Sequence, residues 1–175
     1  TLLIGIDFNV MNCNAVVAVK DGDKLFVIDE ITKQNDTDAL AQEIKRRYPT
    51  NRILVYPDAS GAARSTINAS KTDIAILESY GFSSMALRSN PPIKDRVQTL
   101  QALLENSKGW VRLAIHASCR RLIECLELQS YDEKSGDPDK QNGYDHLNDA
   151  LGYLVFREFS IIHARAGRRT GIRIY

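Results

Sequence analysis

Residues 2–8, LLIGIDF, form an almost unbroken apolar run with a carboxylate near its end. A strand covered on both faces reads as a continuous apolar run rather than an alternating one. The run therefore predicts the central strand of a sheet with helices on both sides. Asp7 is the anomaly in it. Burying an unpaired carboxylate is costly, so an acid here calls for a partner, a turn to cap, or a cation.

The next segments extend that sheet. AVVAVK (15–20) and KLFVIDEI (24–31), separated by the turn signal DGD (21–23), predict two more strands in a meander. DTDALAQEIKRR (36–47) predicts a helix, with Asp36 or Asp38 as its cap and basic residues at its end. NRILVYPDASG (51–61) predicts a short strand stopped by Pro57. TDIAILESYGF (72–82) predicts a helix ended by Gly81, and SSMALR (83–88) a further strand. PPIKDRVQTLQALLEN (91–106) carries Val97, Leu100, Leu103 and Leu104 at helical spacing. VRLAIH (111–116) reads as a short strand and ASCRRLIECLELQ (117–129) as a helix. SYDEKSGDPDKQNG (130–143) reads as a flexible loop or exposed hairpin, and a last helix runs from about 144 to 163. This order predicts an α/β fold: a mixed central sheet of about five or more strands, the first three a meander, with helices on both faces. The ribonuclease H-like fold has this order.

Bulk properties set limits on function. The chain has 175 residues, 43% of them hydrophobic and 26% charged, which fits one soluble domain with a substantial core. No apolar run reaches the length of a membrane span. The chain starts on a strand without Met, so the expectation is a single domain, 1–175, forming the C-terminal part of a longer protein. Cys13, Cys119 and Cys125 show no metal-ligand or redox spacing and are expected to be buried free thiols. Net charge is +1, but all 22 acids lie at or before Glu158, and Arg165, Arg168, Arg169 and Arg173 follow. The body is thus slightly acidic and the tail, about 164–175, basic, a distribution that suits a polyanion partner or a solvated end.

Asp7 has companions. Asp58 follows ILVYP, again at the C-terminal end of a strand, although PDASG is also turn chemistry. In YDHLNDALGY (144–153), Asp145 and Asp149 are four residues apart on one helix face, beside the buried stripe Leu147, Ala150, Leu151, Leu154 and Val155. Asp145 also suits the helix dipole near its start. Two strand-end acids with one or two helix acids make a cluster of hard oxygen donors suited to Mg²⁺ or Mn²⁺. Two such ions, about 3.5–4 Å apart, would clamp a phosphodiester.

GIDFN, YPDASG, NPPIKDRVQTLQALLEN and GYDHLNDALGY, in that order, resemble the C-terminal nuclease domain of the large terminase subunit of tailed bacteriophages, a ribonuclease H-like family. The resemblance covers nearly the whole chain. It implies a divalent-metal-dependent endonuclease that cuts concatemeric viral DNA during packaging. It implies catalytic, metal-holding roles for Asp7, Asp58 and Asp149, with Asp145 or His146 as the auxiliary group and Lys140 near the site. It also implies two Mg²⁺ or Mn²⁺ ions, double-stranded DNA as substrate, and an ATPase domain in the same chain. The small terminase subunit and the portal are the implied protein partners, and the host cell cytoplasm the location. No G-x-x-x-x-G-K-[ST] occurs here, so no ATP hydrolysis is expected of this segment.

Cutting without sequence preference needs phosphate contacts rather than base readout. Arg64, Arg88, Lys94, Arg96 and the tail arginines are the candidates, with Arg64 first because it follows the Asp58 turn. Two alternatives remain open at this point. One is a resolvase of the same fold acting on four-way junctions. The other is a non-catalytic docking module for DNA or the portal.

Overall fold

The computed structural model describes residues 1–9, 11–62, 72–133 and 135–159. Its centre is strand β1 (Leu2–Asp7), buried along its full length. β1 pairs antiparallel with β2 (Cys13–Asp21), which pairs antiparallel with β3 (Lys24–Gln34). Gly22, with φ +57°, supplies the left-handed backbone that the tight β2–β3 turn needs. β4 (Ile53–Pro57) lies parallel to β1 on its other side, and β5 (Ser83–Ser84) extends that edge. β6 (Leu113–Ile115) lies parallel to β3. The sheet order is β5-β4-β1-β2-β3-β6. This is the mixed ribonuclease H-like sheet expected from the element order, with helices on both faces.

Side-chain alternation along β1 divides the core in two. Leu2, Ile4 and Ile6 face α1 (Thr37–Arg47) and α2 (Asp73–Ser79), packing with Leu40, Ile44 and Leu77. Asp36 caps α1 by accepting from the Ala39 amide at 2.7 Å. Leu3, with Val16 and Tyr56 from the neighbouring strands, faces the opposite layer. That layer holds α3 (Ile93–Leu104), α4 (Arg120–Leu128) and α5 (Asp145–Phe159). Leu147, Ala150, Leu151, Leu154 and Val155 form the buried stripe of α5, as their spacing predicted.

Gly5 lets α5 lie directly on β1. A Cβ at this position would overlap the Ala150 carbonyl oxygen and crowd the Leu154 side chain. The last turn of α5 is also tied down. Glu158 accepts from the Tyr56 hydroxyl and pairs with Lys20, each at 2.7 Å, which links α5 to β4 and β2.

Some elements differ from expectation. Of SSMALR only Ser83–Ser84 is strand, with one further ladder bond from the Met85 amide to the Val55 carbonyl. The strand is on the sheet edge, and the chain turns away soon after it toward Asn90 and two prolines, which cannot donate to a ladder. The 130–143 segment takes the hairpin form, with Tyr131 bridged antiparallel to Pro138. Cys13, Cys119 and Cys125 are buried free thiols, and burial pushes Cys119 and Cys125 up to about 11. The end of the last expected helix, the basic tail and Arg64 lie outside the described residues. Among those described, no helix is long and apolar enough to cross a membrane.

Candidate active site

Backbone pairing brings the two strand acids together. The β1–β4 register runs from Leu2↔Ile53 to Ile6↔Pro57, so Asp7 and Asp58 are the next residues on adjacent strands. Neighbouring strands lie about 4.8 Å apart. The Asp58 amide still donates to the Ile6 carbonyl, at 3.1 Å. By alternation Asp7 shares the face of Leu3 and Gly5, and Asp58 shares the face of Tyr56. Both acids therefore stand on the α5 side, at the carboxyl ends of parallel strands, where open α/β sheets place their sites.

α5 brings the remaining groups. His146 Nδ1 lies 3.2 Å from Asp7 Oδ2 and 3.8 Å from Asp145 Oδ1. Asn9 Nδ2 donates to Asp7 Oδ2 at 2.5 Å and lies 2.9 Å from His146 Nδ1. Asp58 Oδ1 accepts from the Ser60 amide at 2.7 Å and from Asn90 Nδ2 at 2.6 Å. Asp149 Oδ1 accepts from Arg96 at 2.7 Å, and Lys140 Nζ lies 4.0 Å from Asp149 Oδ2. The Arg96 guanidinium stacks on the Tyr153 ring, 4.5 Å from its centroid.

The acids act on each other electrostatically. Burial pushes the Asp149 carboxyl up, Arg96 opposes it, Asp7 adds to it and Lys140 opposes it. Burial also raises the Tyr153 hydroxyl, opposed by Arg96 and reinforced by Asp58, Asp149 and Asp7. Tyr153 thus lies within the field of three aspartates contributed by β1, by the turn after β4 and by α5.

The arrangement suits a hard divalent cation. Asp145 Oδ1 is buried with no hydrogen-bond partner, the kind of acceptor that a cation satisfies. The donors are carboxylates with one imidazole, consistent with Mg²⁺ or Mn²⁺. Among the described residues no three His, Cys, Asp or Glu side chains are already placed to hold one ion together. Asn9, Asn90 and Arg96 instead hold the carboxylates one by one.

One expectation is corrected. Arg96 is not a surface cation available to DNA: it is 5% exposed and paired with Asp149. A buried guanidinium needs a counter-ion, and α3 points this one at α5. Its position four before Leu100 and seven before Leu103, both buried, is the signal that places it on the inner face of α3. Arg88 and Lys94 are exposed. Sequence reasoning also missed Asn9, Asn90 and Tyr153. Asn9, two residues after Asp7, could have been found as a local side-chain partner; Asn90 reaches Asp58 only through the fold.

The His146 contact has a consequence for pH. The hydrogen bond to Asp7 raises the His146 pKa above 6.5, burial opposes the rise, and Asp145, Asp7 and Asp149 add to it. A raised folded-state value gives stability that is complete below the unfolded pKa and lost as pH rises through the folded one. In chelator, the wild-type melting temperature is expected to fall relative to His146→Gln as pH rises above about 6.5. Thermal melts of both proteins across pH check this.

A family model for the terminase RNaseH-like domain matches residues 4–158. The chain belongs to that family. Among solved structures, the large terminase of a thermophilic bacteriophage superposes with a TM-score of 0.68 at 16% identity, over 89% of this chain and 39% of that one. The chain thus spans well under half the length of that relative. The nuclease domain of the large terminase of bacteriophage P22 gives a TM-score of 0.66 at 19% identity, covering 90% of this chain and 81% of that domain. The nuclease domain from bacteriophage SPP1, solved with bound Mn, gives 0.60 at 17% identity, over 90% and 86% of the two chains. No curated protein sequence matches significantly.

Proposed function

We propose that this chain is a divalent-metal-dependent endodeoxyribonuclease that cuts concatemeric viral double-stranded DNA during genome packaging. The observation that carries the reading is the convergence of strand-end and helix acids on one sheet edge in a member of the terminase nuclease family. Asp7, Asp58 and Asp149, with Asp145, are the groups assigned to hold two Mg²⁺ or Mn²⁺ ions. His146 is the auxiliary group. The Mn-bound SPP1 relative supports this choice of cofactor. When bound, the cations supply Lewis acidity for phosphodiester hydrolysis.

The chain's own residues prepare that chemistry. Asn9 orients Asp7, and Asn90 with the Ser60 amide fixes Asp58. Lys140, exposed at the rim, and Arg88 and Lys94 are assigned to phosphate contacts, with Arg64 and the tail arginines as further candidates. In the whole protein, an ATPase domain in the same chain, the small terminase subunit and the portal would deliver DNA, within the host cell cytoplasm.

Purified protein is expected to nick and linearise supercoiled plasmid in Mn²⁺ and to stop on addition of EDTA. Intact plasmid at high protein and metal concentration would favour the docking-module reading. Strong preference for four-way junctions over linear duplex would favour the resolvase.

A further inference from the structure

Two cations meet the two oxygens of Asp149 under different conditions. Arg96 holds Oδ1 at 2.7 Å, with its side chain 6% exposed and its guanidinium stacked on Tyr153. Lys140 stands 4.0 Å from Oδ2 on the exposed 130–143 segment, with its side chain 61% exposed. A buried charge cannot leave its counter-ion without an uncompensated burial cost, whereas an exposed lysine gives up a long ion pair at almost none.

We propose that Arg96 is a positioning residue that keeps its bond to Asp149 Oδ1 throughout, and that Lys140 is a displaceable placeholder at Oδ2. This rests on the reading of Asp149 as a metal-holding group. Arg96 fixes the rotamer of the carboxylate and leaves one oxygen turned toward the site. Lys140 neutralises that oxygen until a divalent ion takes its place, and is then released toward the rim, where a phosphate would pass. The rigid guanidinium, bonded to Oδ1 through Nη1 and stacked on Tyr153, suits the fixed role, and the flexible stem of lysine suits the exchanging one. Groups that orient a ligating carboxylate typically change metal affinity ~10–100-fold when removed.

The test is calorimetric titration of Mn²⁺ into the whole chain, with folding checked by circular dichroism. Wild type is expected to bind, and Asp149→Asn to lose that binding. Arg96→Gln is expected to weaken Mn²⁺ binding ~10–100-fold. Arg96→Lys keeps the buried positive charge but not the planar group stacked on Tyr153. It is expected to weaken binding less, and serves as the folded comparator if Arg96→Gln unfolds. Lys140→Ala is expected to bind Mn²⁺ tighter than wild type, because no cation then has to be displaced from Oδ2. Opposite responses to the loss of two cations on one carboxylate are not what general destabilisation produces. Unchanged or tighter binding by folded Arg96→Gln and Arg96→Lys would overturn the anchor role. Unchanged or weaker binding in folded Lys140→Ala would overturn the placeholder role. If Asp149→Asn loses binding while the Arg96 variants do not, only this inference falls. If wild type binds no Mn²⁺, the functional reading falls with it.

Discussion

Asp7→Asn is expected to reduce plasmid cutting by at least ~10²–10³-fold, the loss typical when one preorganised group of an electrostatic site is removed. Asparagine keeps the size of the side chain but removes the charge, and Asn9 can still bond to it. In ion-free protein at a pH well above 6.5, where the His146–Asp7 pair no longer stabilises the fold, the substitution removes a buried carboxylate from the neighbourhood of Asp149, so stability should be retained. The measurement is the initial nicking rate of supercoiled plasmid in Mn²⁺, alongside a thermal melt in chelator. Asp58→Asn and Asp149→Asn are expected to behave likewise in the nicking assay, and the pairwise double variants to lose little more, because groups holding common ions act as a unit. Asp7→Asn cutting at the wild-type rate would remove the acid cluster from the chemistry.

Gly5→Val should disturb both the fold and the site. The new side chain would project into the Ala150 carbonyl, which is backbone and cannot swing aside. Overpacking a filled core costs typically about 1–3 kcal/mol and sometimes more. At the upper end this lowers the melting temperature by about 6–12 °C for a domain of this size. α5 must move off β1, and it carries Asp145, His146 and Asp149 with it. Cutting should therefore fall by more than lost stability explains at temperatures where the variant is fully folded. Gly5→Ala should show a smaller version of both effects. A Gly5→Val protein with wild-type melting and wild-type cutting would mean that α5 does not sit on β1 at this point.

The contrast between these positions shows what could be read from the chain. The central strand, the meander and the α5 stripe were legible because burial on one or both faces leaves a periodic trace in apolar residues. Asp7 and Asp149 stood out as charges interrupting such patterns. Asp58 was ambiguous, since PDASG serves equally well as a turn, and only its place beside Asp7 on the neighbouring strand separates the two readings. Arg96 was misassigned because arginine is ordinarily a surface residue, and the pairing that buries it spans 53 positions in sequence. Asn90 holds Asp58 from 32 positions away, again through a contact with no local pattern. What the sequence withheld was partner choice: which polar groups satisfy which once distant segments meet.

The pairing of β1 with β4 has a further consequence for how the protein matures. Both acids reach the α5 side only because each sits an even number of residues from a neighbour already committed to that layer. If the two strands mispaired by a single position during folding, one aspartate would be turned toward the apolar layer of α1 and α2, while the other stayed put. Such a species would be penalised by a desolvated charge as well as by poor packing. The two acids thereby tie strand register to the layout of the site: a chain that has joined these strands wrongly carries a desolvated charge and holds its two strand-end carboxylates on opposite faces of the sheet.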